Sequence, residues 1–295
     1  IEKLKKINID GILDSGYLKK YLVEKNSLFP TIQTTERPDL VAMALLEGKC
    51  IIIVDNSPYV LITPCFFIDL FHTPDDYYQK TVNTTFIRII RILAFLIAIF
   101  IPAYYIAITT HNHDSVTTDL LLNFLAQRRT VPFPALVEGL IMTISFEILR
   151  ESDMRMASTM GTAVSILGGL VLGDAAVTAG IISPIMIIVV AISAISGLAF
   201  TSIELTSAIR FYRILFMILA ASLGFYGIFL GFILLVAKLA SITSFDIPYL
   251  APFAPLIKEE QKDAILKINN GNKLKRRNPL LPLHRYSNKP VTILQ

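Results

Sequence analysis

The sequence predicts a membrane α-helical bundle of four to five transmembrane or re-entrant helices, preceded by part of a soluble α+β domain. Apolar residues make up 54% of the chain and charged residues only 17%, whereas soluble domains carry about 25% charged residues. The apolar residues are concentrated in runs that contain no charged residue, at 92–110, 156–173, 175–203 and 214–237. Each run approaches or exceeds the roughly 20 residues that a helix needs to cross a bilayer.

Residues 1–86 are expected to form the C-terminal part of a soluble α+β domain whose N-terminal part is missing from this sequence. A short amphipathic helix is predicted at 38–47, where Gly48 follows as a stop signal. Two β-branched apolar runs, 50–54 and 59–63, flank a turn-forming stretch and predict a β-hairpin.

A second helix is expected to begin at Thr73 and Pro74, because a capping residue, a proline and two acids follow one another there. This helix is predicted to run on toward Arg88 and Arg91, which would then sit at the membrane surface.

Residues 87–257 are predicted to form the helical membrane domain. Its expected segments are a helix at 92–110 kinked by Pro102, an amphipathic interfacial helix at 117–129, an apolar segment at 133–149, a helical hairpin at 156–203 and the cleanest span at 214–237.

The remaining residues, 258–295, form a basic polar tail that is expected to be flexible and, because basic segments favour the cytoplasmic side, cytoplasmic. If all five apolar segments cross the membrane, the soluble domain and the tail lie on opposite sides of it. The two cannot then both be cytoplasmic. Segment 133–149 is the first candidate for an incomplete crossing, since it contains Glu138 and Glu147. A basic tail on the far side is the alternative.

The tail contains a short basic cluster, which is too short to indicate a nucleic-acid site. Its members are Lys273, Lys275, Arg276 and Arg277.

A series of short motifs, in this order, resembles the A subunits of GerA-type spore germination receptors. The related stage V sporulation protein AF shares the pattern and stays an alternative. The motifs are Thr35-Glu36-Arg37-Pro38-Asp39, Glu47-Gly48-Lys49, Val54-Asp55-Asn56-Ser57-Pro58, Asp75-Asp76-Tyr77-Tyr78, Val131-Pro132-Phe133-Pro134, Phe146-Glu147-Ile148-Leu149-Arg150-Glu151, Gly168-Gly169-Leu170-Val171-Leu172-Gly173 and Ser244-Phe245-Asp246-Ile247-Pro248-Tyr249.

The resemblance implies a subunit of a nutrient-sensing complex in the spore inner membrane. Its implied partners are a transporter-like B subunit and a lipoprotein C subunit, and family A subunits are thought to oligomerise into a cation channel that germinant opens. The chain departs from the family pattern at Arg155-Met156-Ala157, at Asp174 and at Phe200-Thr201-Ser202, where a usual proline or glutamine is absent.

Ionisable side chains inside apolar segments are costly and indicate function. The candidates for an ion path or for paired intramembrane charges are Glu138, Glu147, Arg150, Glu151, Arg155 and Asp174. Two interpretations stay open for Glu138 and Glu147. Either one of them lines a cation path while the other pairs with an arginine, or both lie at interfaces and pair with Arg150 or Arg155. Glu151 and Arg155 are predicted to form an i,i+4 pair, and Asp174 is expected to be a solvated turn residue.

Glycines spaced by three residues allow close helix contact in lipid. Gly168, Gly169 and Gly173, and likewise Gly227 and Gly231, are therefore predicted to lie at helix-packing faces, either within the chain or between subunits. His111-Asn112-His113-Asp114 is expected to be a solvated loop and not a metal site.

No phosphate-binding loop or catalytic constellation is recognisable, so the sequence predicts a protein that is not an enzyme and needs no cofactor. A secondary transporter is the competing function, because broken helices and membrane acids are typical of transporters. No inverted repeat supports it.

Overall fold

The computed structural model describes residues 4, 7, 11–23, 27–155, 168–169, 171–200 and 202–257, and the chain is mostly helical with small sheets. It divides into two compact units. The sheet unit comprises Ile1–Ile92, Phe200–Leu205 and Val236–Gln295, and the helical unit comprises Leu93–Ala199 and Thr206–Leu235. The basic tail and most of 156–170 lie outside the described residues, and the domain boundary near residue 86 stays a prediction.

The sheet unit is built on a three-stranded antiparallel sheet in which the strand Val60–Thr63 lies between the strands Gln33–Thr35 and Cys50–Ile52. Thr34 pairs with Leu61, and Ile51 pairs with Ile62. Leu18, Leu22, Ile32 and Leu61 form a buried apolar cluster at this sheet. The elements are α1 (Ser15–Leu22), β1 (Gln33–Thr35), α2 (Pro38–Leu46), β2 (Cys50–Ile52), β3 (Val60–Thr63), a 3-10 turn (Phe67–Phe71) and α3 (Asp75–Tyr78).

The predicted hairpin and the helix before it are confirmed. Pro38 starts α2, where its fixed φ fits the first helical turn, and Gly48 adopts φ +88° just after the helix. Asn56 supplies the positive φ that the turn between β2 and β3 requires. Helix α1 and strand β1 were not predicted from the sequence.

A second small hairpin closes the sheet unit. Strands β4 (Thr243–Ser244) and β5 (Ile247–Pro248) pair across Phe245 and Asp246, which both have positive φ. The Ser244 hydroxyl donates to the Thr31 carbonyl (2.7 Å) and accepts from the Cys65 amide (3.1 Å). Ser244 therefore connects the hairpin to the segments that contain Thr31 and Cys65.

The long helices follow from the apolar runs. They are α4 (Thr81–Thr110), α5 (Thr118–Arg128), α6 (Ala135–Arg155), α7 (Pro184–Gly197), α8 (Ile203–Leu223) and α9 (Phe225–Ser241), and residues 171–178 are also helical. Within the described residues, Thr81–Thr110 and Glu204–Leu223 are long and apolar enough to cross a membrane, by length and composition. Helices α7 and α9 are apolar but shorter. The helical character of the prediction is confirmed, and the number of four to five membrane helices stays a prediction.

The expectation of one uninterrupted span at 214–237 is wrong. The chain ends α8 at Leu223, adopts φ +62° at Gly224 and begins α9 at Phe225. Asn112 Oδ1 accepts a hydrogen bond from the Phe225 amide (2.9 Å), which an α-helix leaves unpaired at its start. A glycine that adopts positive φ without steric cost, together with a side-chain cap, breaks the apolar run.

One other boundary differs from expectation. The helix predicted from Thr73 toward Arg91 is divided, since α3 ends at Tyr78 and α4 begins at Thr81. Pro184 starts α7, after a turn in which Gly180 has φ +65°. The described part of the predicted 156–203 hairpin is therefore two helices joined by a tight turn.

Gly227 and Gly231 allow α9 to pack closely against α8. A Cβ at Gly227 would lie 2.1 Å from the Leu219 carbonyl oxygen, and one at Gly231 would lie 2.7 Å from the Phe216 ring. This geometry supports packing within the chain for these two glycines. Within the described residues, a Cβ at Gly169 meets nothing within 4 Å, and one at Gly173 lies 3.9 Å from Ile187.

We expect Gly227→Ala to destabilise the protein by about 1–3 kcal/mol, because the new methyl group meets a backbone atom that cannot rotate away. Gly231→Ala should cost less, since its neighbours are side chains. Thermal unfolding in detergent measures both. Gly173→Ala is the matched control and should not lower the melting temperature, because its Cβ has room and alanine is favoured over glycine inside a helix. A Gly227→Ala protein as stable as that control would contradict close packing of α8 and α9.

Candidate functional site

The most buried acid of the helical unit is Glu138, and its carboxylate is fully paired. Its side chain has no exposed surface. Oε1 lies 3.1 Å from Arg128 Nη2, and Oε2 accepts hydrogen bonds from the amide (2.9 Å) and the hydroxyl (2.8 Å) of Ser183. The partner is thus Arg128 of α5 and not Arg150 or Arg155, the two partners that the pairing interpretation named.

Local structure explains why these groups meet. Helix α6 begins just after Pro134, whose carbonyl accepts from the Glu138 amide, so Glu138 lies in its first turns. Ser183 is the N-cap residue of α7, and the N-terminus of a helix favours a nearby negative charge. The carboxylate therefore joins the ends of three helices, α5, α6 and α7.

A second cluster of charges surrounds Glu147 of α6. Glu147 Oε2 lies 2.9 Å from Arg210 Nε of α8 and 3.5 Å from Arg150 Nη2. Neither Oε2 nor Arg210 Nε has a well-aligned hydrogen-bond partner among the described residues. Glu147 does pair with Arg150, as one interpretation expected, but its shortest contact is with Arg210.

The predicted i,i+4 pair between Glu151 and Arg155 is present, with 2.7 Å between Oε1 and Nη2. Both side chains are exposed, so the pair contributes little to stability. Asp174 is exposed as well, but it lies within the helical residues 171–178 and not in a turn.

A third polar junction forms where Pro102 interrupts the hydrogen bonding of α4. Proline has no amide hydrogen, so the carbonyl four residues before it loses its helical partner. That carbonyl belongs to Ala98, and it accepts from Arg213 Nε (2.9 Å) and from the Ser193 hydroxyl (2.7 Å). Arg213 is buried and also approaches the Ser193 carbonyl (3.5 Å). The carbonyl that Pro102 frees in α4 is thereby bonded to α7 and α8.

The sheet unit holds its own charge cluster at the start of α4. The Asp76 carboxylate accepts from Arg91 Nη1 (2.7 Å) and Nη2 (2.9 Å) and from Thr73. Burial alone would raise the pKa of Asp76, but these hydrogen bonds lower it below its usual value. Arg88 and Arg91, predicted to lie at the membrane surface, are folded onto this acid, and Arg88 is buried.

The sequence matches, over residues 1–279, the family described as Bacillus/Clostridium GerA spore germination protein. The chain belongs to the GerA family. The resemblance seen in its motifs is confirmed.

Curated relatives agree with this assignment. The GerA chain is 46% identical over 268 residues to spore germination protein KA of Bacillus subtilis strain 168, which covers 90% of this chain and 49% of that protein. It is 42% identical to the uncharacterized membrane protein YfkQ of the same strain, over 90% of the chain and 52% of that protein. It is 36% identical to spore germination protein A1, also of that strain, over 92% and 57%. The chain spans about half the length of these relatives, and no solved structure matches it.

Four residues that the GerA structure brings into these junctions were not predicted from the sequence. Arg128 and Ser183 complete the Glu138 site, and Arg210 and Arg213 complete the other two. Arg210 and Arg213 stand just before the apolar run 214–237. The predicted membrane span began after them, so they were not expected inside a helix of this unit. Helix α8 begins at Ile203, so both arginines lie inside it.

The remaining residues that were singled out from the sequence have packing or capping roles or lie in a loop. A Cβ at Gly168 would lie 2.8 Å from Leu149 Cδ2, which supports a packing role within the chain. Asn112, in the histidine-containing loop, caps α9. Among the described residues, no group of three or more His, Cys, Asp and Glu side chains is placed to hold a metal ion.

We expect Glu138→Gln to lower the stability of the protein, because it removes the charge partner of a half-buried guanidinium. Breaking a buried pair costs about 3–5 kcal/mol, and the retained amide oxygen should reduce that loss. The measurement is thermal unfolding together with the amount of protein in the membrane. Glu151→Gln, which breaks an exposed pair on the same helix, is the control and should change stability by less than about 0.5 kcal/mol.

The double variant Glu138→Gln, Arg128→Gln should recover part of the loss, because no unpaired charge remains. If Glu138→Gln instead melts like the unmodified protein but releases ions more slowly, the pairing interpretation is wrong and Glu138 belongs to the ion path.

Proposed function

We propose that this chain is a membrane subunit of a spore germinant receptor, in which an oligomer of the subunit forms a nutrient-gated cation channel. The match to the GerA family over residues 1–279 carries the proposal. Relatives named as spore germination proteins align over about nine-tenths of the chain, which supports the same role here.

The proposal includes an integral position in the spore inner membrane. Two apolar helices of sufficient length support it, as does the membrane protein named among the relatives. The proposed partners are a transporter-like B subunit, a lipoprotein C subunit and further copies of this chain.

Helix α4 is the element that we propose carries the signal. Its first turns are fixed by Asp76, which binds Arg91. Further along, its Ala98 carbonyl is held by Arg213 and Ser193. A shift or rotation of this helix would therefore have to rearrange polar contacts at both places, and such discrete rearrangements are what a two-state gate needs.

Among the predicted charges, Asp174 is the strongest candidate for an ion path. Its side chain is exposed on the helical residues 171–178, and no ion pair to it occurs within the described part of the chain. An exposed carboxylate beside apolar helix faces can attract cations when several copies surround a pore. Glu138, by contrast, is enclosed by Arg128 and Ser183, so we assign it to structure.

Ion flux through the purified receptor complex in vesicles tests this function. We expect nutrient to start cation release, and we expect Asp174→Asn to slow that release at least several-fold at normal protein level, because shape is kept and charge is lost. Glu151→Gln serves as the control, since its carboxylate is exposed but paired.

Flux that does not depend on nutrient, or no flux from a complete complex, would contradict the receptor-channel proposal. Unchanged flux from Asp174→Asn would remove only this residue from the path.

A further inference from the structure

Helix α8 begins inside the sheet unit and is held there by an ion pair. Its residues up to Leu205 belong to the sheet unit, whereas residues 206–223 belong to the helical unit. Glu204, in the first turn of α8, binds the ammonium group of Lys19, which belongs to α1 of the sheet unit. The ion pair therefore fixes the start of a helix that continues into the other unit.

Lys19 is built into the core of the sheet unit. Leu18 and Leu22, on the same helix, belong to the buried apolar cluster. The Lys19 Nζ also donates to the Thr34 hydroxyl of β1 (2.6 Å), and only 11% of its side chain is exposed. The ammonium group therefore stays at one place in this unit, and Glu204 either reaches it or leaves it.

The ion pair can separate because each partner has a substitute. The side chain of Glu204 is 42% exposed, so water can solvate its carboxylate. The N-terminus of α8 also favours a negative charge in the first turn. Lys19 keeps the Thr34 hydroxyl as an acceptor. A buried charge without any partner is costly, but separation of this pair leaves neither charge without one.

The connection between α7 and α8 contacts the same unit. The Phe200 ring packs edge-on against Phe71 of the 3-10 turn, with 5.7 Å between the ring centroids. Apolar contacts of this kind are non-directional and tolerate small shifts, whereas an ion pair depends on the position of both charges. The Lys19–Glu204 pair is therefore the contact here that has distinct closed and separated states.

Movement of α8 would reach the polar junctions of the helical unit, because α8 carries two of their arginines. Arg213 donates to the Ala98 carbonyl of α4 (2.9 Å), and Arg210 Nε lies 2.9 Å from Glu147 of α6. A packed helix transmits a displacement as a rigid element. Release of the first turn of α8 would therefore free these contacts to rearrange.

We propose that the Lys19–Glu204 ion pair is an inhibitory contact, which holds α8 in the position seen in this structure and separates when the channel opens. The inhibitory role rests on the proposed channel function. The hold on α8 does not, and it is measured separately.

Hydrogen exchange in the purified receptor complex tests the hold on α8. Lys19→Met removes the charge but leaves α8 itself unaltered, and it should speed exchange of the amides of residues 207–211, the first that are bonded within α8, at least several-fold. Glu204→Gln should do the same. Lys20→Met is the matched control, because Lys20 is the exposed neighbour on α1, and it should leave this exchange unchanged.

Cation flux from vesicles that contain the complete complex tests inhibition. Lys19→Met and Glu204→Gln should each raise the flux without nutrient at least several-fold, because the closed state loses a contact that the open state does not use. The double variant should raise it no further than either single variant, since both remove the same contact. Lys20→Met should behave like the unmodified complex.

Unchanged exchange in α8 would overturn the proposal. So would a lower melting temperature with unchanged nutrient-free flux, which indicates a purely structural contact, or a weaker nutrient response without that rise, which indicates a contact needed for opening. If these variants do not fold, Glu204→Asp keeps the charge but shortens the reach and should give smaller changes in the same directions. An unmodified complex without nutrient-dependent flux would contradict the receptor function, and the exchange measurement would still decide whether the ion pair holds α8.

Discussion

One backbone carbonyl that has no hydrogen-bond donor within its own helix constrains the arrangement of the helical unit. Pro102 leaves the Ala98 oxygen without its helical donor, and an unsatisfied carbonyl in apolar surroundings costs several kcal/mol. Arg213 and Ser193 supply the missing donors from α8 and α7. The same side chains that repair α4 therefore fix its distance and orientation relative to two other helices, which apolar contact alone specifies poorly.

The other polar junctions of this unit follow the same rule. Glu138 is tolerated because Arg128 and Ser183 satisfy both carboxylate oxygens, and Glu147 is tolerated because Arg150 and Arg210 lie beside its carboxylate. The polar side chains inside the apolar unit thus act as connections between helices. In the channel that we propose, an opening motion of these helices has to exchange these connections for others, as a gate with two discrete states requires.

Local signals explain which parts of the fold were predictable. Pro38 with Gly48 and the turn containing Asn56 act within a few residues, so α2 and the β2–β3 hairpin were foreseen. The end of α8 at Gly224 depends on Asn112, more than one hundred residues earlier, and it was missed. Glu138 was recognised as unusual from its apolar neighbours. Its partner Arg128 was not, because a residue on another helix leaves no periodic signal near Glu138.

A double-mutant cycle between Pro102 and Ser193 tests the central constraint most directly. Ser193→Ala should lower the stability of the unmodified protein by about 0.5–1.5 kcal/mol, and Ser222→Ala, which removes an exposed hydroxyl bonded within its own helix, should have a smaller effect. In a Pro102→Ala background the new amide can bond to the Ala98 carbonyl, so Ser193→Ala should cost almost nothing. Equal losses in both backgrounds, measured by thermal unfolding, would show that the carbonyl freed by Pro102 does not organise these helices.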